Sequence, residues 1–266
     1  MFDSGLQYRT INLYRSAISA FHSHIEGRPV GQHPQVCQLL KGVFVKKPPQ
    51  PRYAFTWDVQ TVLDFIKSKW GRSEDLSNKD LTYKLVILLA LSSASRACTI
   101  HCLKLVFMSE YPTHVRFQFD KLHKGWKTNK SSPEVKYYKF KEDVELCPVS
   151  TLNVYRERSE PWRNESDQLF LSHVNPHKGV SSSTISRWIK DVLRLAGINT
   201  EVFKGHSARS ASSSKAGLAG ASVSDILEMG AWSNESTWQR FYNKPVITAE
   251  ETFQRRVLSK GSGKRL

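Results

Sequence analysis

The chain has 266 residues, with 39 Lys or Arg against 24 Asp or Glu and a formal charge of +15. A hydrophobic share of 39% is enough for a packed core, which excludes a disordered tail. The charge excess points to a polyanionic partner, nucleic acid or an acidic membrane surface.

From the N-terminus, residues 10–25 place Ile11, Tyr14, Ile18, Phe21 and Ile25 on one helical face. A second helix is predicted over 34–45, with Val36, Leu39, Leu40, Val43 and Phe44 inward. Lys46-Lys47-Pro48-Pro49-Gln50-Pro51-Arg52 follows. Prolines and cations at that density read as a linker and a domain boundary. The piece before it is too small to bury a good core alone, and is read as part of a larger helical domain. Beyond the linker, Val59, Val62, Leu63 and Ile66 share a helical face, and Ser77 with Asp80 forms a capping box for the next helix. That helix holds the longest apolar run, Leu85 to Leu91. The run is far short of the ~18 residues a membrane span requires, so it reads as a core helix.

Val115, Phe117 and Phe119 alternate with polar residues, the period of a half-buried strand. Val135, Tyr137 and Phe140 suggest its return, across a basic turn. Helices resume with Ile185, Trp188, Ile189, Val192 and Leu193, stopped by Gly197. Another runs from Ser222 through Leu227 to Gly230, and a last one holds Trp238 and Phe241. The tail, Lys260 to Leu266, reads as loose.

Met1-Phe2-Asp3-Ser4-Gly5 has no basic start or apolar region, so no secretory signal is expected. Cys37, Cys98, Cys102 and Cys147 lack metal-site spacing and read as reduced thiols of an intracellular protein. Cys98 and Cys102, one turn apart, read as core. His101, His123, His173 and His177 are too scattered for a metal site, and Tyr137, Tyr138 and Tyr155 read as half-buried packing aromatics.

The informative residues are Lys204-Gly205-His206-Ser207-Ala208-Arg209, then Gly230-Ala231-Trp232, then Tyr242, with Ser95-Arg96-Ala97 far upstream. Two guanidinium groups can each make forked, charge-assisted hydrogen bonds to phosphate oxygens and stabilise a pentacoordinate transition state. A tyrosine hydroxyl can attack phosphorus and become a covalent intermediate. With a histidine and an indole donor, these are the groups a metal-free phosphodiester transesterification needs.

On these motifs the chain resembles the tyrosine recombinases of the phage-integrase family. Arg96 matches the first family arginine, His206-Ser207-Ala208-Arg209 the His-x-x-Arg box, Gly230-Ala231-Trp232 the Gly-x-His/Trp box, and Tyr242 the nucleophile. The resemblance covers about residues 55–255, and the whole chain is most similar to recombinases of DIRS-type retrotransposons. It implies a mainly α catalytic domain with a small antiparallel β-sheet. The implied layout is a truncated helical core-binding segment over 1–45, a linker over 46–54, the catalytic domain over 55–255 and a basic tail over 256–266. The implied activity is cleavage and rejoining of double-stranded DNA through a 3′-phosphotyrosine, with integration or excision of an element. Arg96, His206, Arg209 and Trp232 would hold the phosphate. A hairpin lysine, Lys124 or else Lys121, would protonate the departing 5′ oxygen, although Lys127 and Lys130 are also close. The resemblance further implies four protomers on two duplexes, no metal or organic cofactor, and a nuclear location.

Two positions depart from the family pattern. Many members carry an acid three residues after the first arginine, where this chain has Thr99. The usual spacing from the His/Trp box to the tyrosine lands on Phe241, one residue before Tyr242. One residue turns a helical side chain by about 100°. These departures motivate a second reading, a DNA-binding remnant that no longer cuts. A third is DNA relaxation like that of type IB topoisomerases.

Overall fold

The computed structural model describes residues 2–50, 53–120, 134–164, 166–247 and 257–258. Two compact units divide the chain, Met1–Arg52 and Tyr53–Leu266. The first is built on α1 (Tyr8–Phe21) and α2 (Pro34–Lys46), the latter with proline at its N-terminal turn. Its core is only Ile11, Leu40 and Val43, with Phe2, Leu6, Tyr8 and Val36 packed around them. The apolar stripe over 10–25 is mostly uncovered: Tyr14, Ile18 and Ile25 are exposed and Phe21 is 94% exposed, and Leu39 of α2, read as inward, is exposed too. Two helices leave the outer side of α1 without a neighbour inside this unit, and periodicity alone cannot show whether an apolar stripe is covered.

In the second unit Tyr53, inside the stretch read as linker, packs its ring on Phe203 at 5.4 Å. Then come β1 (Thr56–Trp57), α3 (Val59–Phe65) and α4 (Asn78–Ser92). Half of the capping box forms: the Ser77 hydroxyl accepts from Asp80 N at 3.1 Å, while the Asp80 carboxylate accepts from that same hydroxyl at 2.7 Å and not from Ser77 N. Every residue of α4 from Leu81 to Ala90 is buried, as befits a helix with no consistently polar face. The cation in that span, Lys84, donates to Gly71 O, and burial draws its pKa down.

The antiparallel sheet has β2 (Met108–Glu110), β3 (His114–Gln118) and β4 (Glu134–Tyr138) in sequence order. Val115 pairs with Tyr137 and Phe117 with Val135, all four facing the core. Phe140 does not join them. It lies past the end of β4 and is 43% exposed. Helices α5 (Ala97–His101), α6 (Pro148–Ser159), α7 (Ser182–Leu195), α8 (Ser207–Leu218), α9 (Val223–Met229) and α10 (Glu235–Phe241) complete the unit. The fold is mainly α with a small antiparallel sheet. A feature without a sequence signal is β5 (Val246–Ile247), which pairs in parallel with β1. The cysteines are free, and Cys98, read as core, is exposed. No helix among the described residues is long and apolar enough to cross a membrane.

Tyr137 yields a test of this core. Its hydroxyl is buried beside Ser93 and Ser95 without a bond of normal geometry, and burial pushes its pKa up to about 12. The folded value stands above the unfolded one of about 10. The contribution is therefore whole below pH ~10 and is lost as pH rises through about 12, reaching about 3 kcal/mol. Tyr137→Phe should flatten the alkaline limb of a urea-stability profile without loss at neutral pH. Parallel profiles for the two proteins would refute this.

Candidate active site

The turn after α4 sets the first arginine. Ser92 and Ser93 return their hydroxyls to Leu88 O and Leu89 O, and Ala94 adopts a left-handed φ of 45°. Arg96 then stands at the N-terminal edge of α5, not at the C-terminal end of α4, with φ −80° and ψ 152°. It therefore gains nothing from a helix dipole, which favours cations at the other end. Arg96 lines a small cleft with Ser95, Thr99, Glu134, Arg209, Glu228 and Gly230. Two carboxylates, Glu134 from β4 and Glu228 from α9, thus share the cleft in which Thr99 replaces the family acid. Glu134 is also paired with Lys136 at 3.0 Å. Sequence spacing could not reveal this, since these acids come from elements far from Arg96 along the chain.

Helix α8 carries the second group. His206 sits at its N-terminal edge and is exposed. The preceding Gly205 is required by close approach: a Cβ there would stand 2.5 Å from Ser186 O. The start of α8 is held from β1, where the Trp57 indole donates to Ser207 Oγ at 2.9 Å. One turn on, Arg209 is only 2% exposed. Its Nη1 donates to Ala94 O and its Nη2 to Gly230 O. The guanidinium lies 3.7 Å from the Trp232 ring centroid and 5.2 Å from that of Tyr242. Burial, and next the charge of Arg96, draw its pKa down to about 9, which still leaves it charged at neutral pH. Among the described residues Arg209 has no ion pair with a carboxylate. A buried cation without a counterion favours an arriving anion.

Trp232 follows α9 through Gly230 and Ala231, the latter at φ 49°. Its ring lies so close to Gly230 that a Cβ there would fall 1.8 Å from it. The indole is 7% exposed and its Nε1 is buried without a partner. The fourth segment is Tyr242, the residue after α10. Its ring lies 4.8 Å from Trp232 and 5.9 Å from His206. Its hydroxyl meets His206 Nε2 at 3.3 Å. So Arg96, His206, Arg209, Trp232 and Tyr242 come together from four stretches of chain. Lys124 and Lys121 lie outside the described residues, as do Lys127 and Lys130. Among the described residues no group of three or more His, Cys, Asp or Glu could hold a metal ion.

This cluster can seat an oxyanion against cations, with a phenol in reach as nucleophile. Residues 58–246 match the family model described as the phage integrase family. No curated protein matches the chain. Solved structures match it at low identity. The XerA recombinase crystal structure is 15% identical at TM-score 0.52, covering 96% of this chain and 84% of that one. The XerH site-specific recombinase, in a post-cleavage complex with a palindromic difH substrate, is 13% identical at TM-score 0.57, with 88% and 63% covered. A lambda integrase dimer bound to a COC′ core site is 14% identical at TM-score 0.51, with 91% and 61% covered. The chain thus spans less than two thirds of the last two. At such identities the likeness is one of fold.

Proposed function

The chain belongs to the phage integrase family, and from that premise we propose that it is a site-specific recombinase that cuts and rejoins duplex DNA through Tyr242. The observation that carries this reading is the meeting of the Tyr242 hydroxyl with His206 Nε2 at 3.3 Å, against the Trp232 ring that backs Arg209.

In the proposed reaction Tyr242 Oη passes its proton to His206 Nε2 and attacks a backbone phosphorus. The bond from phosphorus to the 5′ oxygen breaks, a 3′-phosphotyrosine forms, and the 5′ oxygen leaves as a hydroxyl after taking a proton. Lys124 is the proposed donor of that proton. Arg96, Arg209, His206 and Trp232 are the proposed holders of the nonbridging oxygens, where fixed donors stabilise charge best in a water-poor site. Attack by the 5′ hydroxyl of another strand reverses the step, so rejoining needs no nucleotide. The excess of 39 Lys and Arg over 24 acids supports binding through the DNA backbone.

The engagement of both Arg209 terminal nitrogens by main-chain carbonyls, together with Thr99, favours a second reading, in which the chain binds DNA and does not cut. The test is incubation with a library of duplexes randomised around a nick, so that the short 5′-hydroxyl fragment escapes after cleavage. A protease-sensitive, slow-migrating protein–DNA band is the expected result. Retained DNA without that band would establish the second reading, and absence of both would overturn the proposal.

A further inference from the structure

A tyrosine one residue beyond the family spacing needs a means of aiming its ring, and helix α8 supplies one. Helix α10 ends at Phe241, and Tyr242 leaves it with φ −123° and ψ −31°. Its carbonyl is thereby freed from any helical partner, as carbonyls at helix ends are. Two serines of α8 take it: Ser210 Oγ donates to Tyr242 O at 2.7 Å, and Ser214 Oγ donates to the same oxygen at 2.9 Å. Ser214 also accepts from Lys244 N at 2.9 Å, so one hydroxyl clasps both sides of Asn243. Ser207, Ser210 and Ser214 stand at i, i+3 and i+7, which is one face of a helix. All three are buried, at 1%, 5% and 0% exposure. Buried hydroxyls are retained where they have partners, and the partners here are Trp57, the Tyr242 carbonyl and Lys244 N. The segment is tied again just beyond, where Thr56 N donates to Pro245 O at 2.8 Å and β5 joins β1.

Resting on the reading of Tyr242 as nucleophile, we infer that Ser210 and Ser214 are positioning residues that grip its carbonyl and so turn the phenol onto His206. The helix that carries His206 and Arg209 is the helix that holds the tyrosine's main chain. Nucleophile and phosphate-binding groups therefore keep one geometry, despite the extra residue.

The test is the double variant Ser210→Ala/Ser214→Ala, in which alanine maintains the helix and only the hydroxyls are lost. On the nicked duplex library the maximum rate of covalent attachment should fall ~10–100-fold, the scale that an ångström of misplacement costs a reacting group. The DNA concentration giving half-maximal rate should not move. Ser210→Thr, introduced into Ser214→Ala, should restore most of the rate by returning a hydroxyl. Amide exchange across residues 238–247 should rise at least ~10-fold in the double variant, a local loosening readable without catalysis. An unchanged maximum rate, a parallel loss of DNA affinity, or unaltered exchange would overturn the grip. If the wild type forms no adduct, the function proposed above fails, while exchange at the segment still decides whether the serines hold it.

Discussion

Tyr242→Phe is expected to abolish covalent attachment to DNA, by at least ~10³-fold in rate, judging by removal of a nucleophile in other enzymes. The phenol oxygen is the atom that would bond phosphorus, and no other group at the cluster replaces it. Folding should survive. The ring remains against Trp232, and what is lost is the hydroxyl's contact with the exposed His206 and its hydrogen bond with Arg209. Duplex binding, measured by filter retention at fixed salt, should therefore match wild type. The companion Phe241→Tyr/Tyr242→Phe decides between spacing and geometry. Position 241 lies on the helix, about 100° from its neighbour, and Phe241 packs beside Arg240 rather than on the Trp232 ring. That variant should stay inactive. Recovery of the slow-migrating band would show that family spacing, and not the observed packing, identifies the nucleophile.

Arg209→Ala should damage stability and chemistry together. The guanidinium satisfies Ala94 O, at the turn that leads to Arg96, and Gly230 O, at the turn that leads to Trp232. It also stacks on the Trp232 ring at 3.7 Å. Truncation leaves two buried carbonyls unpaired, at about 1–3 kcal/mol each, and removes the stack. A loss of about 3–5 kcal/mol is expected in a urea titration, a large part of what holds an ordinary domain folded. Arg209→Lys should recover little, since one ammonium cannot span both carbonyls as the planar fork does. Any folded fraction should show attachment reduced on the order of 10²-fold or more, the scale of losing one charge-stabilising donor. A variant as stable as wild type would mean that Arg209 does not brace the two turns.

The sequence by itself determined the elements whose chemistry is local. A run without a polar face, opened by Ser77 and Asp80, could only be a buried capped helix. The alternation of Val115 and Phe117 could only be a strand with one wet face. The order of Arg96, His206, Arg209, Trp232 and Tyr242 pointed to a family that the match over residues 58–246 shows. Helix α8 was not legible, because Ser207-Ala208-Arg209-Ser210-Ala211 carries no apolar period. Its small side chains serve close approach to other elements, which is a property of the neighbours. The β1–β5 pair was invisible for a similar reason: two residues on each side hold no periodicity, and only the closing of the chain brings Thr56 to Pro245.

Tertiary structure alone decided that Phe21 stays uncovered, that Arg209 is buried between two carbonyls, and that Tyr242 rather than Phe241 reaches His206. Periodicity states which side of an element avoids water. What comes to meet that side, and at what angle, depends on residues 21 to 115 positions away.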